Sequence, residues 1–345
     1  MNNESISVVI ATFNSDKYLQ LVLNSIKFQK NLLHEVEILI IDGGSNDLTL
    51  DIAKRNNCKI LKNLNRDPVS AKFLGLISAQ SRFIIFLDHD EVIESNLAFS
   101  NKLLPFKHNK EVVAALSTGY KNPFNNIVSD YINDFGDPFS FFMYRLSKAN
   151  NNFIKFIEHK YNILFNDSNY IIPDFKMGNE VIVEIPALGS MIDKDFIKKN
   201  IPNLLTDKNL LPHAFYLIIK KNGMVGIMKN DFIYHYSSTT YSEYLNKISW
   251  RIKNNIIKST ISSSGFNGRE NLNKNFSLKK YFFLVYALTL IFPFYDSLIL
   301  SVKRKNIKYL IHSLITIYTA IEILRVYISF KLKLNITKKN YDGSE

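Results

Sequence analysis

The stretch Phe83-Ile84-Ile85-Phe86-Leu87-Asp88-His89-Asp90-Glu91 decides the fold. Five apolar residues run directly into three carboxylates within four positions. A short apolar run of this kind, β-branched and aromatic and ending in polar residues, reads as a buried strand. Carboxylates so close repel one another, and each requires solvent or a cation. The question is what neutralises the end of this strand.

Working outward, the same pattern recurs upstream. Residues 7–12 (SVVIAT) read as a strand, and Asn14-Ser15-Asp16 as a turn and helix start. Leu19, Val22, Leu23 and Ile26 then follow helical spacing. Residues 36–47 (VEILIIDGGSND) give a strand ending in a Gly-rich acidic turn, 48–56 a helix, 58–63 a strand and 68–79 a helix. Strands alternating with helices predict a parallel sheet with helices on both faces. Asn14, Asp42 and Asp88 all lie just past strand C-termini, the edge where open α/β sheets bind ligands. No G-x-G-x-x-G follows the first strand, which argues against a dinucleotide oxidoreductase.

With 345 residues, 46% hydrophobic and 21% charged, the chain is globular and long enough for a large domain with an appendage, or for two domains. Its formal net charge of +12 suits a polyanionic partner such as lipid headgroups or a diphosphate. Without an arginine-rich tract or a nucleic-acid module, no nucleic acid is expected. Cys58 is the sole cysteine, so neither an intrachain disulfide nor a thiolate metal cluster can form. It is expected as a small buried residue. The N-terminal residues lack a basic region followed by an apolar one, and a cytosolic catalytic domain is expected.

From 120 to 180 the alternation breaks. Residues 125–145 and 151–165 are aromatic-rich and read as helical. Residues 181–200 return to a strand, a Gly turn and a helix start; 212–228 read as a helix closed by Gly223, then a strand; 232–240 give a last strand ending at His235. Residues 241–260 form a basic amphipathic helix, and 262–275 a linker. Two hydrophobic segments follow, 281–302 and 309–330, each long enough to cross a membrane.

The motifs SVVIATFN, EILIIDGGSNDLT, SAKFLGL and FLDHD occur in the order and spacing of nucleotide-sugar-dependent family 2 glycosyltransferases. The chain resembles that family over residues 5–95 and in patches from 180 to 251. The resemblance implies an α/β GT-A fold, a Rossmann-like nucleotide-diphospho-sugar transferase fold with a mostly parallel central sheet. The C-terminal amphipathic and hydrophobic helices follow it. The implied domains are 1–236, with an acceptor-side helical insertion at about 120–180; 237–275, amphipathic helix and linker; 276–335, membrane-associated helices; and a 336–345 tail.

The family's chemistry explains the acidic strand end. Departure of a nucleoside diphosphate builds negative charge that a divalent cation neutralises. Mg²⁺ and Mn²⁺ take hard oxygen ligands, often only one or two carboxylates plus phosphate oxygens. By resemblance, Asp88 and Asp90 share that metal with the donor diphosphate, and His235 completes the shell. Taken alone, the same residues also fit an acidic helix cap, with Glu91 in the next helix's first turn. The resemblance further implies that Asp42 contacts the base, uracil being favoured, and that Thr12 and Asn14 line base and ribose. Lys72, where the family usually has arginine, would meet phosphate as a point charge. Gly189, in PALGSM, would lie in the loop facing the donor sugar.

One departure stands out. Where an inverting member places its catalytic carboxylate, this chain has Leu211, Pro212 and Ala214. Asp207 and His213 are the nearby candidate bases, histidine having a suitable ordinary pKa. An already anionic acceptor such as a polyprenyl phosphate needs little base. The acceptor is expected to be lipid-linked or a growing surface glycan, and a non-catalytic nucleotide-binding scaffold is the rival from another class. Lys247, Trp250 and Arg251 resemble a basic-tryptophan motif near the acceptor mouth of related membrane enzymes, or lie on lipid headgroups. A transmembrane hairpin would place Lys303-Arg304-Lys305 outside, against the positive-inside tendency. The expectation is therefore monotopic association with the cytoplasmic face of a membrane. Packing of these helices within the protein or a homo-oligomer is the alternative.

Overall fold

The computed structural model describes residues 4–150, 152–177, 185–258 and 274–332. The chain divides into two units, Met1–Pro123 with Ala149–Tyr236, and Phe124–Lys148 with Ser237–Glu345. The first unit begins with β1 (Ile6–Thr12), α1 (Asp16–Lys27), β2 (Glu37–Asp42), α2 (Thr49–Arg55), β3 (Lys59–Lys62), α3 (Pro68–Ser78) and β4 (Phe83–Asp88). This is the alternation read from the sequence. Leu19, Val22, Leu23 and Ile26 form the buried stripe of α1, as their spacing predicts. Asp67 caps α3, its carboxylate accepting from the Ser70 amide at 2.8 Å, with Pro68 in the first turn where its missing N–H costs nothing.

Downstream come β5 (Glu91–Ile93), α4 (Ala98–His108), β6 (Val112–Leu116) and β7 (Gly119–Lys121). The second unit's α5 (Ile127–Phe135) and α6 (Pro138–Tyr144) intervene before α7 (Asn152–Lys160), β8 (Ile163–Asn166), β9 (Tyr170–Pro173) and β10 (Met191–Asp193). The unit closes with α8 (Lys194–Asn200), α9 (Ala214–Lys220), β11 (Met224–Met228) and β12 (Phe232–His235). Nine strands form one sheet in the order β3-β2-β1-β4-β10-β6-β11-β9-β8; β5, β12 and β7 form a second. β1 pairs parallel with both β2 and β4, β2 with β3, and β6 with β11. β10 interrupts the parallel core, antiparallel to β4 and β6, and β9 and β8 add antiparallel pairs beyond β11. The chain builds outward from β1 to β3, then returns across β1 to β4. That reversal opens the crevice where α/β sheets hold ligands.

Several expectations change. Glu91 does not start a helix: it opens β5, paired with β12, and is fully buried. Residues 163–165, read as helical, fall in β8, because Ile163, Phe165 and Asn166 pair along β9. The stretch from 120 to 180 is divided: Phe124–Lys148 belongs to the helical unit and Ala149 onward folds with the sheet. The strand expected at 181–184, most of the 262–275 linker and the 336–345 tail lie outside the described residues.

The second unit joins α5 and α6 to α10 (Tyr241–Lys258), α11 (Lys274–Leu288), α12 (Ile291–Lys303) and α13 (Ile311–Lys331). Val128, Tyr131 and Phe135 of α5 share a core with Tyr244 and Ile248 of α10, Leu300 of α12 and Ile315 of α13.

Gly75 shows how tightly α3 sits on the sheet. A Cβ there would lie 2.1 Å from Val9 Cγ1, so only glycine allows this approach. Gly75→Ala is expected to cost about 1–3 kcal/mol in urea unfolding, the range for overpacking a core. Adding Val9→Ala is expected to recover part of that loss. An unchanged midpoint for Gly75→Ala would contradict this packing.

Candidate active site

The register of β1 fixes the site's edge: Thr12 stands opposite Asp42, and Ala11 opposite Asp88. The strand ends predicted to outline a site are thus neighbours. Asp42 is buried and accepts from four donors, three from its own turn and one from Thr12 of β1. Oδ2 accepts from the amides of Gly44 at 2.8 Å and Ser45 at 2.9 Å; Oδ1 accepts from the hydroxyls of Thr12 at 3.1 Å and Ser45 at 2.5 Å. A carboxylate has about four acceptor positions, so Asp42 organises its own turn. Any further donor reaching Asp42 would displace a hydroxyl more readily than an amide, because hydroxyls can rotate. Asn14 has φ of 46° and stitches two loops, its amide donating to Ser45 Oγ at 2.9 Å and its Oδ1 accepting from the Asn46 amide at 2.9 Å.

At the end of β4, Lys72 from α3 answers part of the charge question. Its Nζ lies 2.6 Å from Asp88 Oδ1 and donates to the Pro186 carbonyl at 2.6 Å. Lys72 is buried, so it is not a solvated helix lysine. Glu91 Oε2 accepts from the Asp88 amide at 3.0 Å and Oε1 from the Tyr120 hydroxyl at 2.5 Å. Burial, with the Asp88 charge adding to it, pushes the Glu91 carboxyl up to about 8. Glu91 therefore carries a proton near neutrality and removes one of the three charges. His235 Nε2 stands 3.7 Å from Asp90 Oδ2, and its ring packs 4.7 Å from that of Tyr120. The backbone carbonyl of Asp90 accepts from the Tyr236 amide at 2.8 Å, tying β12's end to the acidic turn.

Among the described residues, no group of three or more His, Cys, Asp and Glu forms a metal cluster. Asp88, Asp90 and His235 are nonetheless gathered at one edge, with Asp88 partly solvent-exposed. Two carboxylates and an imidazole are a donor set of the kind Mg²⁺ or Mn²⁺ uses when a substrate supplies the remaining oxygens. The residues present fit such an ion.

Gly189 has φ of 54°, and a Cβ there would meet Ile233 Cδ1 at 2.5 Å and Ser117 Oγ at 3.0 Å. The glycine lets its loop close on β12. Asp207 is exposed and caps the 3₁₀ turn Lys208–His213 through the Asn209 amide at 2.9 Å, whereas His213 is buried at the start of α9. Lys247, Trp250 and Arg251 lie on α10 in the helical unit. Cys58 is half-buried rather than fully buried, and burial pushes its thiol up to about 11, away from nucleophilic use.

The family model for glycosyl transferase family 2 matches residues 7–179, half of the chain. The chain belongs to glycosyl transferase family 2. Its sheet is the GT-A arrangement of that family, with the acidic Asp88-His89-Asp90 turn at the parallel strand ends. Among relatives, the poly(ribitol-phosphate) β-N-acetylglucosaminyltransferase TarS of Staphylococcus aureus is 27% identical over 113 residues, 31% of this chain and 20% of that one. A dolichyl N-acetyl-α-D-glucosaminyl phosphate 3-β-D-2,3-diacetamido-2,3-dideoxy-β-D-glucuronosyltransferase of Methanococcus voltae is 38% identical over 87 residues, 23% of this chain and 27% of that one. The chain thus matches about a quarter of the length of these relatives. A crystal structure of S. aureus TarS 1–349 aligns over 97% of this chain and 95% of its own, with 14% identity and a TM-score of 0.48.

Some residues that build the candidate site were not legible in the sequence. Tyr120 holds Glu91, and the buried Lys102–Asp231 ion pair, joined by the Ser117 hydroxyl, fixes the approach to β12. A tyrosine or lysine among ordinary surface-type residues carries no local signal of such a partner. Ser45 was legible in part, since serine after Gly-Gly suits a turn.

The raised Glu91 pKa has a signed consequence. An acid that keeps its proton in the folded state favours folding at low pH, and that contribution is lost as pH rises from its ordinary 4.5 through about 8. Glu91→Gln does not titrate. In the metal-free protein, its stability relative to wild type is expected to improve from pH 4.5 to about 8 and level off above, read by urea unfolding across pH. Parallel profiles would contradict a protonated Glu91.

Proposed function

We propose that this chain transfers a sugar from a nucleoside diphosphate donor, UDP-sugar being favoured, to a lipid-linked or surface-glycan acceptor. The carrying observation is the convergence of Asp88, Asp90, Lys72 and His235 beside the Thr12–Asp42–Ser45 turn. The turn receives the base and ribose. Asp88 and Asp90, with His235, would hold a divalent cation. When bound, that ion supplies positive charge where the diphosphate gains negative charge. Lys72 already carries its ammonium to this place, so it moves from Asp88 to share the diphosphate's charge as a point cation. The acceptor oxygen attacks the anomeric carbon as the carbon–diphosphate bond breaks, and the configuration inverts.

The acceptor's proton needs a destination. Asp207 is occupied as a cap and the segment 208–214 bears no carboxylate, leaving His213 as the nearest candidate base. That absence favours a second reading in which the acceptor is already anionic, a polyprenyl phosphate. Sugar transfer to undecaprenyl phosphate whose rate and pH profile are the same in His213→Ala and wild type would support it.

The decisive assay follows nucleoside diphosphate release from UDP- and GDP-sugars, with Mn²⁺ or Mg²⁺ and after chelation. Asp88→Ala with Asp90→Ala is expected to lower the rate by at least about 100-fold, the scale of losing a transition-state charge contact. Lys72→Met is expected to lower it by about tenfold or more. A folded wild type that neither binds nor turns over any sugar nucleotide would favour the scaffold reading.

A further inference from the structure

Residues 278–332 pose a problem separate from the donor site. By length and composition, Ile307–Lys331 is long and apolar enough to cross a membrane, and Leu278–Leu288 with Ile291–Lys303 would pass together but for an 87° bend between them. The polar groups distinguish crossing from lying flat. Asp296 of α12 accepts from Arg145 Nη1 at 2.6 Å and from the Tyr286 hydroxyl at 2.6 Å. That hydroxyl lies 3.0 Å from His312 Nε2, whose Nδ1 lies 2.5 Å from the Tyr131 hydroxyl. Arg304 donates to Asp134 of α5, and the Ser249 hydroxyl of α10 donates to Glu322 of α13. These contacts tie α12 and α13 to α5, α6 and α10 and lock the bend. Insertion of the pair as a straight span would strip Asp296 and His312 of their partners inside hydrocarbon.

The outer side of the bend is different. Leu288, Leu290, Ile291, Phe292, Phe294 and Tyr295 are 48–74% exposed. Leu290 has φ of 62°, a conformation that leucine rarely adopts, so an apolar side chain stands where a water-facing turn would carry glycine or asparagine. Each arm is short: α11 and α12 are about 22 and 20 Å long at about 1.5 Å per residue, against about 30 Å of bilayer hydrocarbon. Charge selects the partner. From 274 to 332 the only acids are Asp296 and Glu322, both buried and ion-paired, while Lys303, Lys305 and Lys308 are exposed. An apolar elbow whose exposed charges are all positive matches a surface of anionic lipid. A second copy docked face to face by a two-fold axis would bring these lysines together.

We infer that the elbow between α11 and α12 is a one-leaflet anchor, seated in the acyl–headgroup boundary of an anionic membrane with Lys303, Lys305 and Lys308 at the headgroups. The inference rests on the helical unit alone and stands or falls separately from sugar transfer.

Flotation of the purified full chain with phosphatidylcholine vesicles, with and without phosphatidylglycerol, tests it. Binding is expected to favour the anionic vesicles and to weaken with salt. Phe292→Ser with Phe294→Ser is expected to cut partitioning at least about tenfold without lowering the circular-dichroism melt, because both rings are exposed. Lys303→Glu with Lys305→Glu and Lys308→Glu is expected to remove the preference for anionic vesicles. Lys305→Cys in a Cys58→Ser background should stay reactive to an impermeant maleimide added outside protein-bound vesicles. Failure of folded wild type to bind, unchanged partitioning of the serine variant, or protection of that thiol would overturn the anchor. So would a dimer by light scattering that the serine substitutions disperse while vesicles bind neither form.

Discussion

Crowded carboxylates at the end of β4 are the constraint around which the catalytic-type unit is arranged. Three acids in four residues cannot all remain charged beside a buried strand without compensation. Each is handled differently. Asp88 faces the Lys72 ammonium, Glu91 is buried against Tyr120 and keeps its proton, and Asp90 stands beside His235 at the end of β12. The compensation is incomplete: Asp88 remains partly open to solvent.

That arrangement also orders the surrounding fold. β5 and β12 pair antiparallel so that Glu91 meets His235 across the strands. Gly189 lets its loop close over Ile233, and the Lys102–Asp231 pair with Ser117 holds the segment leading into β12. Breaking such a buried pair by removing one partner leaves an uncompensated charge, a cost of about 3–5 kcal/mol. The smaller sheet is therefore tied to the larger one just before β12, the strand that ends at His235.

The first half of this unit was legible because its signals are local. β1, β2 and β4 are largely apolar runs whose polar ends mark one edge, α1 shows its apolar stripe, and α3 its Asp67 cap. Long-range pairing was not legible. Glu91 follows an acidic turn and looks like a helix start, yet β12, over a hundred residues later, recruits it into a strand. Residues 163–166 share the aromatic composition of α7 but find an antiparallel partner in β9. Asp42 carried a readable position at a strand end, whereas the three donors from its own turn and the one from neighbouring β1 depend on backbone geometry and register. Likewise Phe124–Lys148 joins Ser237–Glu345 through partners such as Arg145–Asp296 and Asp134–Arg304, which no window of sequence contains.

The central claim is that Asp88 and Asp90 hold a divalent cation together with a donor diphosphate. Mn²⁺ electron paramagnetic resonance of the purified chain measures this directly, titrated with and without UDP. The account predicts weak Mn²⁺ binding alone, strong binding once UDP is present, and loss of that enhancement in Asp88→Asn with Asp90→Asn. Mn²⁺ binding that ignores UDP, or UDP enhancement that persists in the double variant, would contradict it.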